Sequence, residues 1–330
     1  MSVNDLQVVD PSPNTPLTAA EADQALRAWS EKASSAFSKN TQRAWASDWA
    51  LFTGFCRDHH RQALPSSPNT VSAFLRFSAD NRKVATLKRY AASIARAHQA
   101  IDLINPVHSE TVRLTLRSLA NAKGTKQKQA RGLLWKDLEI YLQIQPTQWR
   151  DHRDRALVMV AYEAMLRREE VVALNVEDVV IDSGDSSATV FIAQSKTDQT
   201  RAGQTQWISP LTWRLVQTWC EHAHLKEGAL FRRVMGKKKI GHRLTPAAVT
   251  TIFQRLGLWL GWSSTEYEQL SGHSARVGAT QDLVAMNQAL PAVMQSGRWK
   301  DTRMPARYAE KLLAKLGAMA QVAKTQGRCD

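Results

Sequence analysis

The sequence predicts a mainly α-helical protein with a small antiparallel β-sheet, organised as two domains. Apolar residues recur at helical spacing on both sides of a short basic segment between Asn121 and Arg131. The period changes to alternation from Val179 and returns to helical by Leu211. The length of 330 residues suits two cores of ordinary size.

The first twenty residues hold three prolines among Ser, Asn and Asp and show no period, so residues 1–20 are expected to be a flexible arm. Helical patterns follow at Ala22 to Ser35 and Asn40 to His59, the second carrying Trp45, Trp49, Phe52 and Cys56 on one face, with Ser38 or Asn40 as its cap. Pro65 and Pro68 end it. Thr70 to Ala79 buries Val71, Phe74 and Leu75; Val84 to Ala100 aligns Leu87, Tyr90, Ala91 and Ile94. The opposite face of that fourth helix is basic, with Lys83, Lys88, Arg89 and Arg96 beside Thr86. A shorter helix at Ser109 to Asn121 completes a bundle spanning residues 21–122.

Asn121 to Arg131 has no apolar residue larger than Ala and four positive charges, and residues 123–131 are read as an interdomain linker. The second domain, 132–330, opens with helices at Leu134 to Gln143 and Asp151 to Leu166. The latter is apolar nearly all round and is expected to be buried on several sides. Val179 to Ile181, Ala188 to Ile192 and Gln206 to Ser209 read as three short strands. Leu211 to His222 is helical again, Arg232 to Arg243 is a basic run, and Thr245-Pro246 opens a helix that continues to Trp259. Leu312, Leu313, Leu316, Met319 and Val322 form an apolar stripe near the end.

Forty-four Lys and Arg against thirty Asp and Glu give a formal charge of +14, which favours a polyanionic partner and puts nucleic acid ahead of membrane. No apolar run is long enough to span a bilayer and no signal peptide opens the chain, so a soluble, cytoplasmic protein is expected. Cys56, Cys220 and Cys329 are odd in number and far apart, which argues against a disulfide framework. Neither Cys-x-x-Cys nor His-x-x-x-His occurs, so no metal site and no cofactor is expected.

The chemistry concentrates between Ser271 and Tyr308. Ser271-Gly-His-Ser-Ala-Arg-Val-Gly-Ala279 places His273 and Arg276 three apart at a helix start, with Ser271 as the expected cap; both side chains can then serve one anion. By itself a His-x-x-Arg pair is more often an ordinary surface pair. Here Ser-Gly-Arg-Trp299-Lys follows, and Tyr308 lies nine residues beyond Trp299.

These segments resemble the second catalytic box and the nucleophile region of the tyrosine recombinases, the phage integrase family, in a Cre-like form. Met165-Leu-Arg-Arg-Glu-Glu-Val resembles the first box, whose pattern is Arg, two residues, Glu; that register selects Arg167 with Glu170, and Arg168 is the alternative. The resemblance implies that Arg167, Lys196, His273, Arg276, Trp299 and the nucleophile Tyr308 are catalytic, with Glu170 orienting the cations. It also implies that the bundle is a SAM-like core-binding domain followed by the catalytic domain with a C-terminal interaction helix. The implied activity is site-specific recombination through a 3′-phosphotyrosyl link and a Holliday junction, without metal or ATP. The implied partners are double-stranded DNA with inverted-repeat sites and a homo-oligomer, a dimer on each site and a tetramer in the synapse. Candidate DNA contacts are Thr41, Arg43, Lys83, Thr86, Lys88, Arg89, Lys126, Arg233, Lys237, Lys238, Arg243, Thr250 and Gln254, with Thr251 and Arg255 on the same helix. A type IB topoisomerase and a non-catalytic DNA-binding protein of the same fold are the alternatives.

Overall fold

A computed structural model describes residues 19–126, 128–193, 203–236 and 238–328. The expected arm up to residue 18, Lys196, Lys237 and Cys329 lie outside the described residues. The chain forms two compact units, Met1–Gln127 and Lys128–Asp330.

The first unit is helical: α1 (Ala19–Ala33), α2 (Lys39–Asp58), α3 (Pro68–Ala79), α4 (Val84–Gln99), a 3-10 turn at Pro106–His108, and α5 (Glu110–Lys123). Serine starts three of them. Ser38, Ser67 and Ser109 each accept a backbone N–H three residues on, and Pro68 fills the first position of α3, where an N–H has no partner to lose. Phe52, Val71, Leu75, Leu87 and Val112 are fully buried where these helices meet. Inside this core Asp48 forms an ion pair with Arg89 at 2.6 Å and accepts from Ser93 at 2.8 Å, so one buried carboxylate ties α2 to α4. Asn121 to Lys123, part of the basic segment, finish α5, and Gly124 ends it at φ 71°.

The second unit contains α6 (Trp135–Gln143), α7 (Trp149–Glu163), α8 (Arg168–Ala173), a 3-10 turn at Val176–Asp178, β1 (Val179–Ile181), β2 (Ala188–Ile192), β3 (Gln204–Ile208), α9 (Pro210–Ala223), β4 (Arg232–Met235) and β5 (Lys239–Arg243). It continues through α10 (Pro246–Trp259), α11 (Ser264–Tyr267), α12 (Ser274–Ala285), α13 (Leu290–Gly297), α14 (Arg303–Tyr308), α15 (Glu310–Leu316) and α16 (Ala318–Thr325). The three expected strands form one antiparallel sheet in the order β1-β2-β3, with Val190 opposite both Val179 and Gln206. Alternation along β2 turns Ala188, Val190 and Ile192 inward. The basic run after Phe231 is a second, two-stranded sheet of β4 and β5, which sequence patterning had left without strands.

Helix α7 is the centre of this unit, buried without a break from Arg153 to Ala161. Its buried Asp154 is doubly paired: Arg153 and Arg255 of α10 both bond it, the first at 2.5 Å. Asp282 of α12 accepts from Tyr162 Oη at 2.6 Å and from Trp135 N–H at 2.7 Å, joining α7, α6 and α12. Gly278 of α12 lies against the Leu133 backbone, where any Cβ would collide with the Leu133 carbonyl; Leu133 N–H reaches Ser274 O at 3.0 Å. That close approach explains the Gly in Arg-Val-Gly-Ala. The C-terminal stripe is divided between two helices by Gly317, and Leu313, Met319 and Val322 are exposed.

Cys56 is buried, with its thiol pushed up to about 11 by burial, and Cys220 is half-buried; both are free.

Candidate active site

The site is built from four turns. The first follows α7. Met165 takes a left-handed conformation at φ 47°, Leu166 N–H returns to Ala161 O at 3.1 Å, and the chain reverses into α8. Arg167 caps that helix. Its N–H donates to Glu170 Oε2 at 2.9 Å and its Nη1 to Glu170 Oε1 at 2.7 Å, so the three-residue spacing both starts the helix and fixes the guanidinium. Arg168 points elsewhere: it pairs with Glu169 at 2.9 Å, and its stem packs against Gly272.

The second turn precedes α12. The helix begins at Ser274 with His273 in the cap position; Ser271 instead accepts His273 N–H at 3.2 Å, while Ser271 N–H donates to Ser274 Oγ at 2.9 Å. The expected Ser271 cap is thereby corrected by two residues, because the serine braces the turn rather than the helix. The His273 ring reaches solvent on one side. Partial burial, then Arg168, Arg276 and Arg167, push its pKa below the ordinary imidazole value against the pull of Glu169. Three residues on, Arg276 is 2% exposed, and its guanidinium donates to Met165 O and Gly297 O. Burial, Arg167 and Arg298 push its pKa down to about 9, which leaves the cation intact at neutral pH.

The third turn ends α13. Arg298 takes the left-handed conformation at φ 53°, Trp299 N–H returns to Met294 O at 3.0 Å, and the Trp299 ring folds over Gly297, where a Cβ would collide with it. The indole lies beneath the Arg276 guanidinium, 4.4 Å from carbon to ring centre. The fourth turn closes α14. Tyr308 presents its ring edge-to-face to Trp299 at 5.9 Å and 68°, and its carbonyl accepts Gln129 Nε2 at 2.9 Å and Gln281 Nε2 at 3.0 Å.

Contacts and short electrostatic range thus link Arg167, Glu170, His273, Arg276, Trp299 and Tyr308 in one place. Arg298 joins them, bonded to Glu170 and to the Ala164 and Met165 carbonyls, although the sequence had given no reason to single it out. Its only signal was its place between Gly297 and Trp299.

The candidate DNA contacts differ in exposure, and some are held by named partners. Arg43, Lys83 and Lys88 are exposed in the first unit, as is Lys126; Thr86 is half-buried. Thr41 is occupied in the α2 cap, its hydroxyl 2.9 Å from Ser38 Oγ, and Arg89 is held by Asp48. In the second unit Arg233 is exposed on β4, and Lys238 lies 6.0 Å over the Trp149 ring. Arg243 is engaged: Nη1 donates to the carbonyls of Val172, Ala173 and Leu174 at 2.7 to 2.9 Å, and Nη2 to Asn175 Oδ1 at 2.6 Å. It caps the C-terminal end of α8. On α10, Thr251 is exposed and Thr250 half-buried, Gln254 leans toward Leu270 O at 3.5 Å, and Arg255 turns inward to Asp154.

Among the described residues no three His, Cys, Asp or Glu are grouped to hold a metal ion, and no helix is long and apolar enough to cross a membrane.

Two arginines, an imidazole, an indole and a phenol on a helical scaffold define an enzyme class that breaks and rejoins DNA strands through a tyrosine. The family model for the phage integrase family matches residues 133–314, and the chain belongs to that family. It is 26% identical over 284 residues to the integrase/recombinase XerD homolog of Selenomonas ruminantium, covering 82% of each chain. It is 25% identical over 304 residues to the recombinase Cre of Escherichia phage P1, covering 87% of this chain and 88% of that one. The fold is shared with lambda integrase (residues 75–356) solved as a dimer on a COC′ core site, at TM-score 0.58 and 17% identity over 87% of this chain and 94% of that one. It is also shared with the XerH recombinase bound to difH, at TM-score 0.56 and 15% identity over 88% and 80%.

Proposed function

We propose that this chain is a site-specific DNA recombinase in which Tyr308 is the nucleophile. The observation that carries the residue assignment is the run of contacts from Arg167 through Glu170 to Arg298, through the Met165 carbonyl shared by Arg298 and Arg276, and on to Trp299 and Tyr308.

Tyr308 Oη attacks the scissile phosphorus, forming a Tyr–O–P bond as the P–O5′ bond breaks. Neutral His273 takes the phenol proton, and Lys196 gives a proton to the departing 5′ oxygen. Arg167 and Arg276 stabilise the extra negative charge on the non-bridging oxygens; loss of one such donor costs about 10²–10³ in rate. Trp299 adds an indole N–H and supports the Arg276 guanidinium from below. The tyrosyl phosphate conserves the bond, so a 5′-hydroxyl from a second duplex reverses the step and completes exchange without ATP.

The partners follow from this chemistry: double-stranded DNA carrying inverted repeats, a dimer on each site and a tetramer where two sites meet. The lambda integrase dimer on a core site supports the dimer and the DNA partner, and XerH bound to palindromic difH supports the DNA partner. Cytoplasmic action on a bacterial, phage or plasmid genome suits such a substrate. A monomeric relaxing enzyme is the weaker proposal, since relatives matched over more than 80% of their length are recombinases.

The test uses the sequence that the wild-type chain enriches from a pool of random duplexes. A plasmid with two copies should yield recombinant circles with the wild type and none with Tyr308→Phe. Relaxed circles without recombinants would favour the topoisomerase alternative.

A further inference from the structure

Arg298 has no role in the steps above, yet it is more buried than Arg167, at 7% exposure, and stands beside the reacting groups. Its Nη1 donates to Ala164 O at 3.3 Å, and its Nη2 to Met165 O at 3.4 Å and to Glu170 Oε2. Glu170 is therefore shared, with Arg167 on Oε1 and Arg298 on Oε2. Met165 O is shared as well, between Arg276 and Arg298. Two guanidinium groups thus share one carboxylate and the third, Arg276, joins them through the Met165 carbonyl, so three cations against one anion leave the cluster two net positive charges.

The backbone did not select this side chain. At φ 53° glycine fits without opposition from a Cβ. A neutral residue at this position would leave Arg167 as the only counter-charge for Glu170, and an arginine already compensated by a carboxylate offers less to a phosphate.

Resting on the recombinase function above, we propose that Arg298 is a positioning residue: by taking one oxygen of Glu170, it leaves the Arg167 guanidinium aimed and electrically free for the scissile phosphate. The pentacoordinate state gains a negative charge relative to the bound diester, so the second net positive charge matters most during reaction and least during binding.

The experiment measures covalent adduct formation on a nicked duplex built on the sequence enriched by the wild-type chain. Arg298→Gln should bind this duplex within about twofold of wild type and form adduct about 30- to 100-fold more slowly. Adding Glu170→Gln should then restore at least about tenfold of that loss, because the double variant again carries two uncompensated guanidinium groups. Further loss from Glu170→Gln is what a merely structural Arg298 would give. Wild-type adduct rates in Arg298→Gln, or a double variant no faster than Arg298→Gln, would overturn the proposal. If Arg298→Gln does not fold, Arg298→Lys and Arg298→Gly decide: Lys should retain most of the rate and Gly should not, and equal rates in the two would overturn it. A wild-type chain that forms no Tyr308-dependent adduct would instead overturn the recombinase function itself, a separate failure visible before any Arg298 variant is compared.

Discussion

The Arg276 guanidinium stands 4.4 Å from the centre of the Trp299 ring, and Trp299 in turn meets the Tyr308 ring edge-on. The indole is therefore the spacer between the buried cation and the Tyr308 phenol, the proposed nucleophile. A cation over an indole contributes about 0.5–2 kcal/mol, and the N–H adds a donor. Trp299→Ala should slow adduct formation about ten- to a hundredfold with DNA affinity little changed. Single-turnover cleavage of a nicked duplex checks this; a loss confined to affinity would speak against the spacer role.

Arg243 satisfies three carbonyls at the end of α8, the helix that carries Glu170 and is capped by Arg167. Hydrogen bonds to a charged donor contribute about 1.5–3 kcal/mol each, less when they share one partly exposed group. Arg243→Ala should lower unfolding stability by about 2–3 kcal/mol, and Arg243→Lys should not recover it, lacking the planar fork. Urea denaturation midpoints read this directly. If the loss appeared instead as weaker DNA binding at unchanged stability, the guanidinium would be a phosphate contact after all.

Such placements mark the limit of what the sequence disclosed. Helix spacing located the elements around Phe52, Leu87 and Leu157, and alternation located β1 to β3, because burial on one face leaves a period. The hairpin of β4 and β5 left none: Val234 and Ile240 are its only half-buried aliphatic residues, and the other positions are mostly basic. Arg243, Arg255 and Arg298 are equally silent, since a cation in the sequence looks solvated until a distant carbonyl or carboxylate claims it. His273, Arg276, Trp299 and Tyr308 were legible because their spacing repeats a known pattern. The carbonyls of Met165 and Gly297 that hold Arg276 were not, because backbone oxygens have no letter of their own.

The His273 pKa lies below the ordinary imidazole value of 6.5, chiefly through partial burial and Arg168. The neutral ring, which can accept the phenol proton, therefore predominates at pH 7. The rate of adduct formation at limiting protein should be flat above about pH 6.5 and fall below it, and His273→Gln should be slow and lack this acid limb. The stability term has the same sign: the unfolded chain holds the proton more tightly, so the contribution is complete above 6.5 and is lost as the pH falls through the folded-state value. An acid limb that survives in His273→Gln would assign the titration elsewhere.

Gln129, in the segment read as linker, and Gln281, on α12, both donate to the Tyr308 carbonyl. A net hydrogen bond contributes about 0.5–1.5 kcal/mol, so Gln129→Ala should slow adduct formation about three- to tenfold while Gln281 still holds the carbonyl. The double variant should lose more than the product of the single losses, since only then is the carbonyl without either donor. Strictly multiplicative losses would show that the two amides act independently.

The most direct measurement is the mass of the peptide containing Tyr308 after the trapped protein–DNA complex has been digested with nuclease and protease. The account predicts a nucleotide joined through its 3′-phosphate to Tyr308. The same nucleotide on any other residue, or a trapped complex that persists in Tyr308→Phe, would contradict it.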